Sequence, residues 1–194
     1  MIKIGITGNI ASGKTTVSNF FKNKNAFIFN ADKEAKKHIK NHSSLQKKII
    51  STFGQNIVLG NSIDFKKLSE IAFINKKNQN ILNGLVWPEV SILIDNAAKK
   101  ALKNKYEYFI VDAALLFEAN FQHFFNYIIL VTANKELRIS RAVKRRTIDL
   151  YQIKKRMDLQ MPDNEKISMC DFVIKNNNID ALKISFNEIF KKII

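Results

Sequence analysis

The residues of this sequence with the clearest chemical potential form an eight-residue run that fits the pattern G-x-x-x-x-G-K-[ST] at every fixed position. Its glycines allow the backbone to curl, so that successive N–H groups can point at phosphate oxygens. The lysine of this pattern reaches the β- and γ-phosphates of a nucleoside triphosphate, and the hydroxyl after it coordinates Mg²⁺. We therefore predict a triphosphate site on the residues Gly8, Asn9, Ile10, Ala11, Ser12, Gly13, Lys14 and Thr15.

The elements predicted around this loop are those that the pattern requires. The apolar run Ile2–Ile6 predicts a buried strand before the loop, and a helix is expected from about Lys14 to Lys22. The positive end of that helix adds to the attraction for phosphate. Further strands are predicted at 26–29, 108–111, 127–131 and 172–174, with helices between them. Strands that alternate with helices indicate an α/β fold, in which helices cover both faces of a parallel sheet.

Two aspartates follow predicted strands, at the sheet edge where ligands bind in folds of this kind. Asp32 comes after the second strand, where it could take the proton of an acceptor hydroxyl or could cap the next helix. Asp112 ends the third strand, where it could organise a metal ion or could be an ordinary turn carboxylate. A kinase for a small acceptor needs both functions, together with cations over the transferred phosphoryl group.

The charge of the chain points to polyanionic partners. The sequence has 32 lysines and arginines against 17 acidic residues, which gives a formal net charge of +15. Such a surface attracts nucleic acid, acidic membranes or highly phosphorylated small molecules. The lysines are spread along the chain and indicate a solvated surface, whereas the arginines cluster in the segment 138–156. The cluster consists of Arg138, Arg141, Arg145, Arg146 and Arg156.

The planar fork of arginine suits phosphate better than the point charge of lysine does. The spacing of Arg138, Arg141 and Arg145 places them on one helix face, which could be a solvated face or the inner face of a lid over ATP. The segment 44–105 is predicted to be largely helical, with Pro88 in the first turn of a long helix that ends near Lys103. A C-terminal helix is predicted to carry one apolar stripe, formed by Ile179, Leu182, Phe186, Ile189, Phe190 and Ile193.

Composition excludes several classes of protein. Hydrophobic residues make up 46% and charged residues 25%, which is typical of a globular domain. No apolar run approaches the length of about 18 residues that a membrane span needs, and no signal peptide is recognised at the N-terminus. Cys170 is the one cysteine, so an internal disulfide is excluded and a reducing cytoplasm is the expected compartment.

Other P-loop classes fit less well. A GTPase would read guanine with N-K-x-D, but the run that begins at Asn134 and Lys135 has Leu137 in the fourth position. A nucleic-acid-binding protein is suggested by the charge, but zinc-finger, basic-zipper and single-strand-platform patterns are lacking. We therefore expect neither nucleic acid nor membrane as a partner. A kinase for a nucleoside monophosphate or another small alcohol remains an alternative.

Several motifs, in order and over nearly the whole chain, resemble those of the dephospho-coenzyme A kinase family. The phosphate loop, extended by Thr16, looks like that of the family, and Asn30-Ala31-Asp32 stands where the family has D-A-D. The run 112–118 is similar to its D-x-P-L-L-F-E, and Arg141 and Arg145 match its lid arginines. The runs 156–162 and 170–176 match its R-I-x-x-Q-x-P and A-D-x-V-I-x-N signatures.

This resemblance implies a three-layer P-loop NTPase fold with a five-stranded parallel sheet. It implies one domain with a core of about 1–43, 106–137 and 161–194, a helical acceptor-binding region of about 44–105 and a lid of about 138–160. The implied reaction is phosphorylation of the ribose 3′-hydroxyl of dephospho-CoA by ATP with Mg²⁺, which gives coenzyme A and ADP. The implied protein is cytoplasmic and is a monomer or a weak homo-oligomer.

The resemblance also implies roles for individual residues. Asp32 would be the catalytic base, and Lys14, Arg141 and Arg145 would act on the transferred phosphoryl group. ATP would contact the loop from Gly8 to Thr16, Arg141 and Asn176. The acceptor would contact Asp32, Trp87, Leu115, Phe117 and Glu118, and Mg²⁺ would be held by Thr15 and Asp112.

The sequence departs from the family pattern at five positions. Trp87 replaces a usual histidine and could be a core residue or could stack on the acceptor. Asn30 replaces the first acid of D-A-D, which leaves Asp32 as the carboxylate of that motif. Ala114 replaces a proline, Arg146 an aspartate and Asn178 a loop glycine, whose positive φ an asparagine tolerates.

Overall fold

A computed structural model describes residues 1–145 and 148–194, so Arg146, which replaces the aspartate of the family pattern, lies outside the described residues. Five parallel strands form the central sheet, which confirms the predicted fold class. They are β1 (Ile2–Thr7), β2 (Ala26–Asn30), β5 (Tyr108–Asp112), β6 (Tyr127–Thr132) and β7 (Phe172–Lys175). Their spatial order is β2-β5-β1-β6-β7, and every pairing in this sheet is parallel. The segments β3 (Val58–Leu59) and β4 (Ser62–Ile63) form a separate antiparallel hairpin.

Helices make up most of the remaining described chain. Those of the first half are α1 (Lys14–Phe20), α2 (Ala31–Asn41), α3 (Ser43–Phe53), α4 (Phe65–Ala72) and α5 (Lys76–Lys103). Those of the second half are α6 (Lys135–Lys144), α7 (Leu150–Asp158), α8 (Asp163–Ile167) and α9 (Ile179–Ile193). The segment 138–160, which the resemblance implies to be the lid, contains most of α6 and the whole of α7. Among the described residues, no helix is both long enough and apolar enough to cross a lipid bilayer.

The sheet carries a hydrophobic core on each face, because successive side chains of a strand point to opposite sides. In β5, Tyr108 and Ile110 pack with residues of α1 and α9, including Val17 and Phe186. Phe109 and Val111 of the same strand pack against α5 on the opposite face of the sheet. This burial on both faces produces the three layers and explains why the strands read as continuous apolar runs.

A third hydrophobic core lies among the helices of the central part of the sequence. Ile39, Leu45, Ile49, Ile57 and Leu68 are buried together, so α2, α3 and α4 share one apolar cluster. The small hairpin contributes to the same cluster, and it was not predicted from the sequence. Its two strands have two residues each, which is too short to show the alternation of a longer strand.

The prediction that Pro88 lies in the first turn of the long helix is wrong. The residue lies inside α5, which has 28 residues and begins twelve positions earlier. The Asn75 side chain caps that start by accepting a hydrogen bond of 2.8 Å from the Asn78 backbone N–H. A proline ring crowds the carbonyl four residues before it. In α5 that residue is Gly84, which is exposed to solvent.

The predicted apolar stripe of α9 is confirmed for its central residues and is wrong at its first. Leu182, Phe186, Ile189 and Ile193 are buried against the sheet, whereas Ile179 is 50% exposed. The difference arises because Ile179 is the first residue of the helix, next to the Asn178 cap, and lies beyond the edge of the core.

Candidate active site

The candidate active site lies where the carboxyl ends of the parallel strands meet. The phosphate loop follows β1, the segment 30–32 follows β2, and Asp112 ends β5. Both Ile6 and Asn30 are paired in register with Asp112. The parallel register therefore brings together three segments that are far apart in sequence.

The shape of the phosphate loop depends on two glycines with positive φ. Gly8 has a φ of 147° and Gly13 a φ of 102°, values that favour glycine. A Cβ on Gly8 would collide with the Val131 carbonyl oxygen, and a Cβ on Gly13 would collide with the Asn176 side-chain amide. The fixed glycines of the motif are thus required by both conformation and space.

The loop lysine and the hydroxyl after it lie next to the end of β5. Lys14 Nζ donates a hydrogen bond of 3.0 Å to the Gly8 carbonyl, which keeps the ammonium over the loop. Thr15 Oγ1 donates to Asp112 Oδ2 at 2.7 Å. Asn30 Nδ2 donates to the same carboxylate oxygen at 3.0 Å, and Asp112 is 1% exposed. A hydroxyl and a carboxylate this close supply the hard oxygen ligands that Mg²⁺ prefers.

Asp32 stands in the first turn of α2, across the cavity from the loop. Its side chain stays accessible to water in the cavity, although protein surrounds the carboxylate at longer range. That desolvation raises the pKa of Asp32 above its usual range, against the positive charge of Lys14, and the negative charge of Asp112 adds to the rise. The Ala114 backbone amide favours the charged form. A carboxyl with a raised pKa suits proton transfer near neutral pH.

A cavity of about 700 Å³ connects the loop to the helical middle of the chain. Lys14 and Asp32 line one end, and Trp87 and Leu115 contribute to its apolar wall. The cationic side chains that line it are Lys14, Lys36, Lys66, Arg145 and Arg156. A volume of this size can hold a nucleotide-like acceptor, and its cations suit a phosphorylated one.

The three arginines near α6 have different surroundings. Arg145, the residue directly after α6, lines the cavity. Arg141 Nη1 donates a hydrogen bond of 2.9 Å to the Asn176 carbonyl. Arg138 is largely buried and forms an ion pair of 3.6 Å with Asp163. The shared helix face therefore places one of the three at the cavity and the other two in contacts with the protein.

Asn176 supports the phosphate loop from the end of β7. Its side-chain amide donates a hydrogen bond of 2.8 Å to the Ser12 carbonyl, and the residue is 5% exposed. Its backbone N–H donates to the Thr132 carbonyl at 2.7 Å. The Asn176 side chain thus contacts the back of the loop, next to Gly13, and its carbonyl receives Arg141.

The proposed acceptor contacts fall into two groups. Trp87 and Leu115 line the cavity, and Trp87 also packs against the core beneath α5. Phe117 is 2% exposed and packs in that core, so it is not among the residues that line the cavity. Glu118 is turned away from the cavity, because its Oε1 forms an ion pair of 3.0 Å with Lys166 and accepts from the Met161 N–H at 3.1 Å. Neither side chain lines the cavity, and the acceptor role expected for these two residues stays a prediction.

Two residues that the sequence reasoning did not assign also hold the loop. Gln160 Oε1 accepts a hydrogen bond of 2.8 Å from the Ile10 N–H. Lys166 Nζ donates to Asn9 Oδ1 at 2.9 Å and is completely buried. Gln160 lies in a motif that was recognised, whereas Lys166 is one of many lysines and carries no local signal of its burial.

A second set of possible metal ligands lies outside this cavity. The ligand atoms of His38, His42 and Glu89 are within 4.8 Å of one another. Protein contacts account for this group, since His38 Nε2 pairs with Glu89 at 3.0 Å. The His42 ring accepts from the Leu45 N–H and caps α3. Among the described residues, these hydrogen bonds connect α2 to α5 and cap α3, so we interpret the group as a structural contact between helices.

Comparisons with known proteins agree on one family. The sequence profile of the family described as Dephospho-CoA kinase matches residues 2–181. A dephospho-CoA kinase of Fusobacterium nucleatum is 38% identical over 192 residues, which cover 98% of this chain and 94% of the relative. A solved Thermus thermophilus structure matches with a TM-score of 0.81 at 25% identity, over 100% of this chain and 98% of that one. The solved dephospho-CoA kinase of Campylobacter jejuni matches with a TM-score of 0.67 at 28% identity, over 98% and 96% of the two chains.

Proposed function

Because this chain belongs to the dephospho-CoA kinase family, which uses ATP to phosphorylate dephospho-CoA in coenzyme A biosynthesis, we propose that the transfer takes place between Lys14 and Asp32. The observation that supports this assignment is the cavity of about 700 Å³, which both side chains line. Phosphate-binding and proton-accepting groups therefore face one shared cavity, as a transfer between two bound substrates requires.

The ATP side of the site is formed by the loop. Its curled backbone directs amides toward the β- and γ-phosphates, and the Lys14 ammonium supplies positive charge beside them. We assign the residues from Gly8 to Thr16 to ATP binding. Asn176 and Arg141 support the loop on the side away from the phosphates. The Asn176 side chain donates to the Ser12 carbonyl, and Arg141 donates to the Asn176 carbonyl.

Thr15 and Asp112 are the residues that would hold Mg²⁺, since their oxygens lie 2.7 Å apart. The bound ion would neutralise charge on the phosphates of ATP. Asp112 is prepared for this role by burial and by the donors Thr15 and Asn30, which keep the carboxylate in one orientation.

The chemistry assigned to Asp32 is proton removal from the acceptor hydroxyl. The 3′-oxygen of the acceptor ribose attacks the γ-phosphorus, the bond from that phosphorus to the leaving oxygen of ADP breaks, and the hydroxyl proton passes to the Asp32 carboxylate. Arg145, which lines the cavity, offsets negative charge on the moving phosphoryl group. Arg141 assists through its hydrogen bond to Asn176.

The acceptor is proposed to lie against the region 44–105. Trp87 and Leu115 provide apolar wall there, and Lys36, Lys66 and Arg156 provide cations for the phosphates of the acceptor. The segment 138–160 is proposed as the lid, because it carries Arg145, which lines the same cavity. A cytoplasmic location is proposed on the single cysteine, Cys170.

The test is an ADP-release assay with dephospho-CoA, AMP, GMP, shikimate and pantothenate offered separately as acceptors. We expect turnover with dephospho-CoA and little with the others, and a product phosphorylated at the ribose 3′-position by nuclear magnetic resonance. Preferential turnover of AMP or GMP would instead support the nucleoside monophosphate alternative. Lys14→Ala is the control, since it should weaken binding of a non-hydrolysable ATP analogue without changing the acceptor wall.

A further inference from the structure

The side chain of Lys166 is fully buried directly behind the phosphate loop. Its Nζ lies 3.0 Å from Glu118 Oε1, 2.9 Å from Asn9 Oδ1 and 3.5 Å from the Ala114 carbonyl oxygen. Burial lowers the pKa of Lys166, while the negative charge of Glu118 acts in the opposite direction. A buried ammonium is costly unless it is paired and hydrogen-bonded, and here three acceptors from three segments surround it.

The first half of the phosphate loop is held by the segment that contains Lys166. Besides the bond to Lys166, Asn9 donates from Nδ2 to the Met161 carbonyl at 3.1 Å. The N–H of Ile10 donates to the Gln160 side chain at 2.8 Å. These three hydrogen bonds connect residues 9 and 10 of the phosphate loop to residues 160–166, the segment that follows α7.

The same ammonium also reaches the segment after β5. Its contact with the Ala114 carbonyl lies two residues after Asp112, and the Ala114 amide is the group that favours the charged form of Asp32. Lys166 is therefore within hydrogen-bond distance of the phosphate loop and of the backbone beside both site carboxylates.

We propose that Lys166 is a positioning residue for ATP, because its ammonium, balanced by Glu118, fixes Asn9 and so keeps the loop amides directed at the phosphates. This inference rests on the proposed function of the loop. An ammonium on a flexible stem can donate three hydrogen bonds in different directions, which a methionine of similar length cannot do. A buried ion pair often stabilises a fold no more than apolar residues of the same volume would. We therefore assign the Lys166–Glu118 pair a role in positioning Asn9 and not in stability.

The test compares Lys166→Met and Lys166→Arg with Lys183→Met, the same replacement at an exposed lysine of α9. Binding of a fluorescent ATP analogue and KM for each substrate are measured on the full chain, with folding checked by circular dichroism. We expect Lys166→Met to weaken analogue binding and raise KM for ATP by about 10- to 100-fold, as for a small displacement of a binding group. KM for dephospho-CoA should stay within about twofold, and Lys166→Arg should recover part of the loss because it keeps the charge.

Glu118→Gln provides a second variant if Lys166→Met does not fold, since it keeps the size of the side chain and removes the charge that balances Lys166. It is expected to raise KM for ATP in the same way. A folded variant of either kind that binds the analogue like the wild type would overturn the proposal, as would an equal rise of KM for both substrates. Failure of the wild type itself to bind the analogue would reject the proposed function of the loop instead.

Discussion

The side-chain amide of Asn30 donates a hydrogen bond of 3.0 Å to Asp112 Oδ2, the same oxygen that accepts from the Thr15 hydroxyl. The other end of the Asn30 amide accepts from the Lys33 N–H at 2.8 Å and caps α2. One side chain thus joins the carboxylate proposed to hold Mg²⁺ to α2, the helix that carries Asp32 in its first turn. An aspartate at position 30, as in the family motif, could cap the helix but could not donate to Asp112.

Asn30→Asp is expected to make the protein more dependent on Mg²⁺. The change replaces a donor by a second carboxylate beside buried Asp112, so we expect a loss of about 1–3 kcal/mol in the free energy of unfolding without the ion. Added Mg²⁺ should restore more stability in the variant than in the wild type, because the cation offsets the two like charges. Thermal unfolding with and without Mg²⁺ measures both effects.

Asn178→Asp is the matched control for this prediction, since Asn178 also caps a helix but is exposed and is not among the residues that line the cavity. Its stability should respond to Mg²⁺ as the wild type does. An equal response of Asn30→Asp and Asn178→Asp would argue against a metal site at Asp112.

Asp32→Asn should lower kcat by about 10²- to 10⁴-fold, the usual contribution of a general base. Binding of the ATP analogue should remain, because the loop contacts do not involve this side chain. In the wild type, kcat should rise with pH as Asp32 loses its proton, at a pH above the ordinary aspartate range since its pKa is raised. Stopped assays from acidic to neutral pH test this, and wild-type turnover in the variant would remove Asp32 from the chemistry.

The same substitution should increase stability at neutral pH. Because desolvation by the surrounding protein raises the pKa of Asp32 in the folded state, the folded protein binds more protons than the unfolded chain between the unfolded and folded pKa values. The free energy of unfolding contributed by this group therefore falls as the pH rises through that window. The variant Asp32→Asn has no ionisable group at this position and does not lose this stability. Its free energy of unfolding should therefore exceed that of the wild type at pH 7, and the difference should become smaller in acid.

Urea unfolding at neutral and acidic pH measures that difference, with Asp158→Asn, an exposed position on α7, as the control. The control should show no such pH-dependent gain. A variant Asp32→Asn that was less stable than the wild type at pH 7 would contradict the direction of the pKa shift.

Arg145→Ala should lower kcat by about 10³- to 10⁵-fold, the range for an arginine that offsets charge on the moving phosphoryl group. Arg141→Ala should also lower kcat strongly and should raise KM for ATP, because Arg141 bonds the carbonyl of the residue that supports Ser12. Both variants should stay folded. Lys144→Ala, at an exposed position of the same helix, is the control, and near-normal turnover of Arg145→Ala would exclude that side chain from the transfer.

The sequence by itself was enough to place the phosphate loop, the five strands and the helices that follow them. These features are encoded locally: Gly8 and Gly13 permit the backbone of the loop, and strand burial on both faces leaves continuous apolar runs. The resemblance of ordered motifs also indicated the family. Local pattern was insufficient at Pro88, where the cap at Asn75 begins the helix earlier than the proline suggests.

Only the tertiary structure decided how the site is held together. Lys166 and Asn9 are 157 residues apart, and Asn176 and Ser12 are 164 apart, so no local spacing relates them. Glu118 was expected to contact the acceptor, yet the fold pairs it with the buried Lys166. The physical reason is that side-chain burial and pairing depend on which segments the parallel sheet brings to one edge, and this is a property of the packed chain.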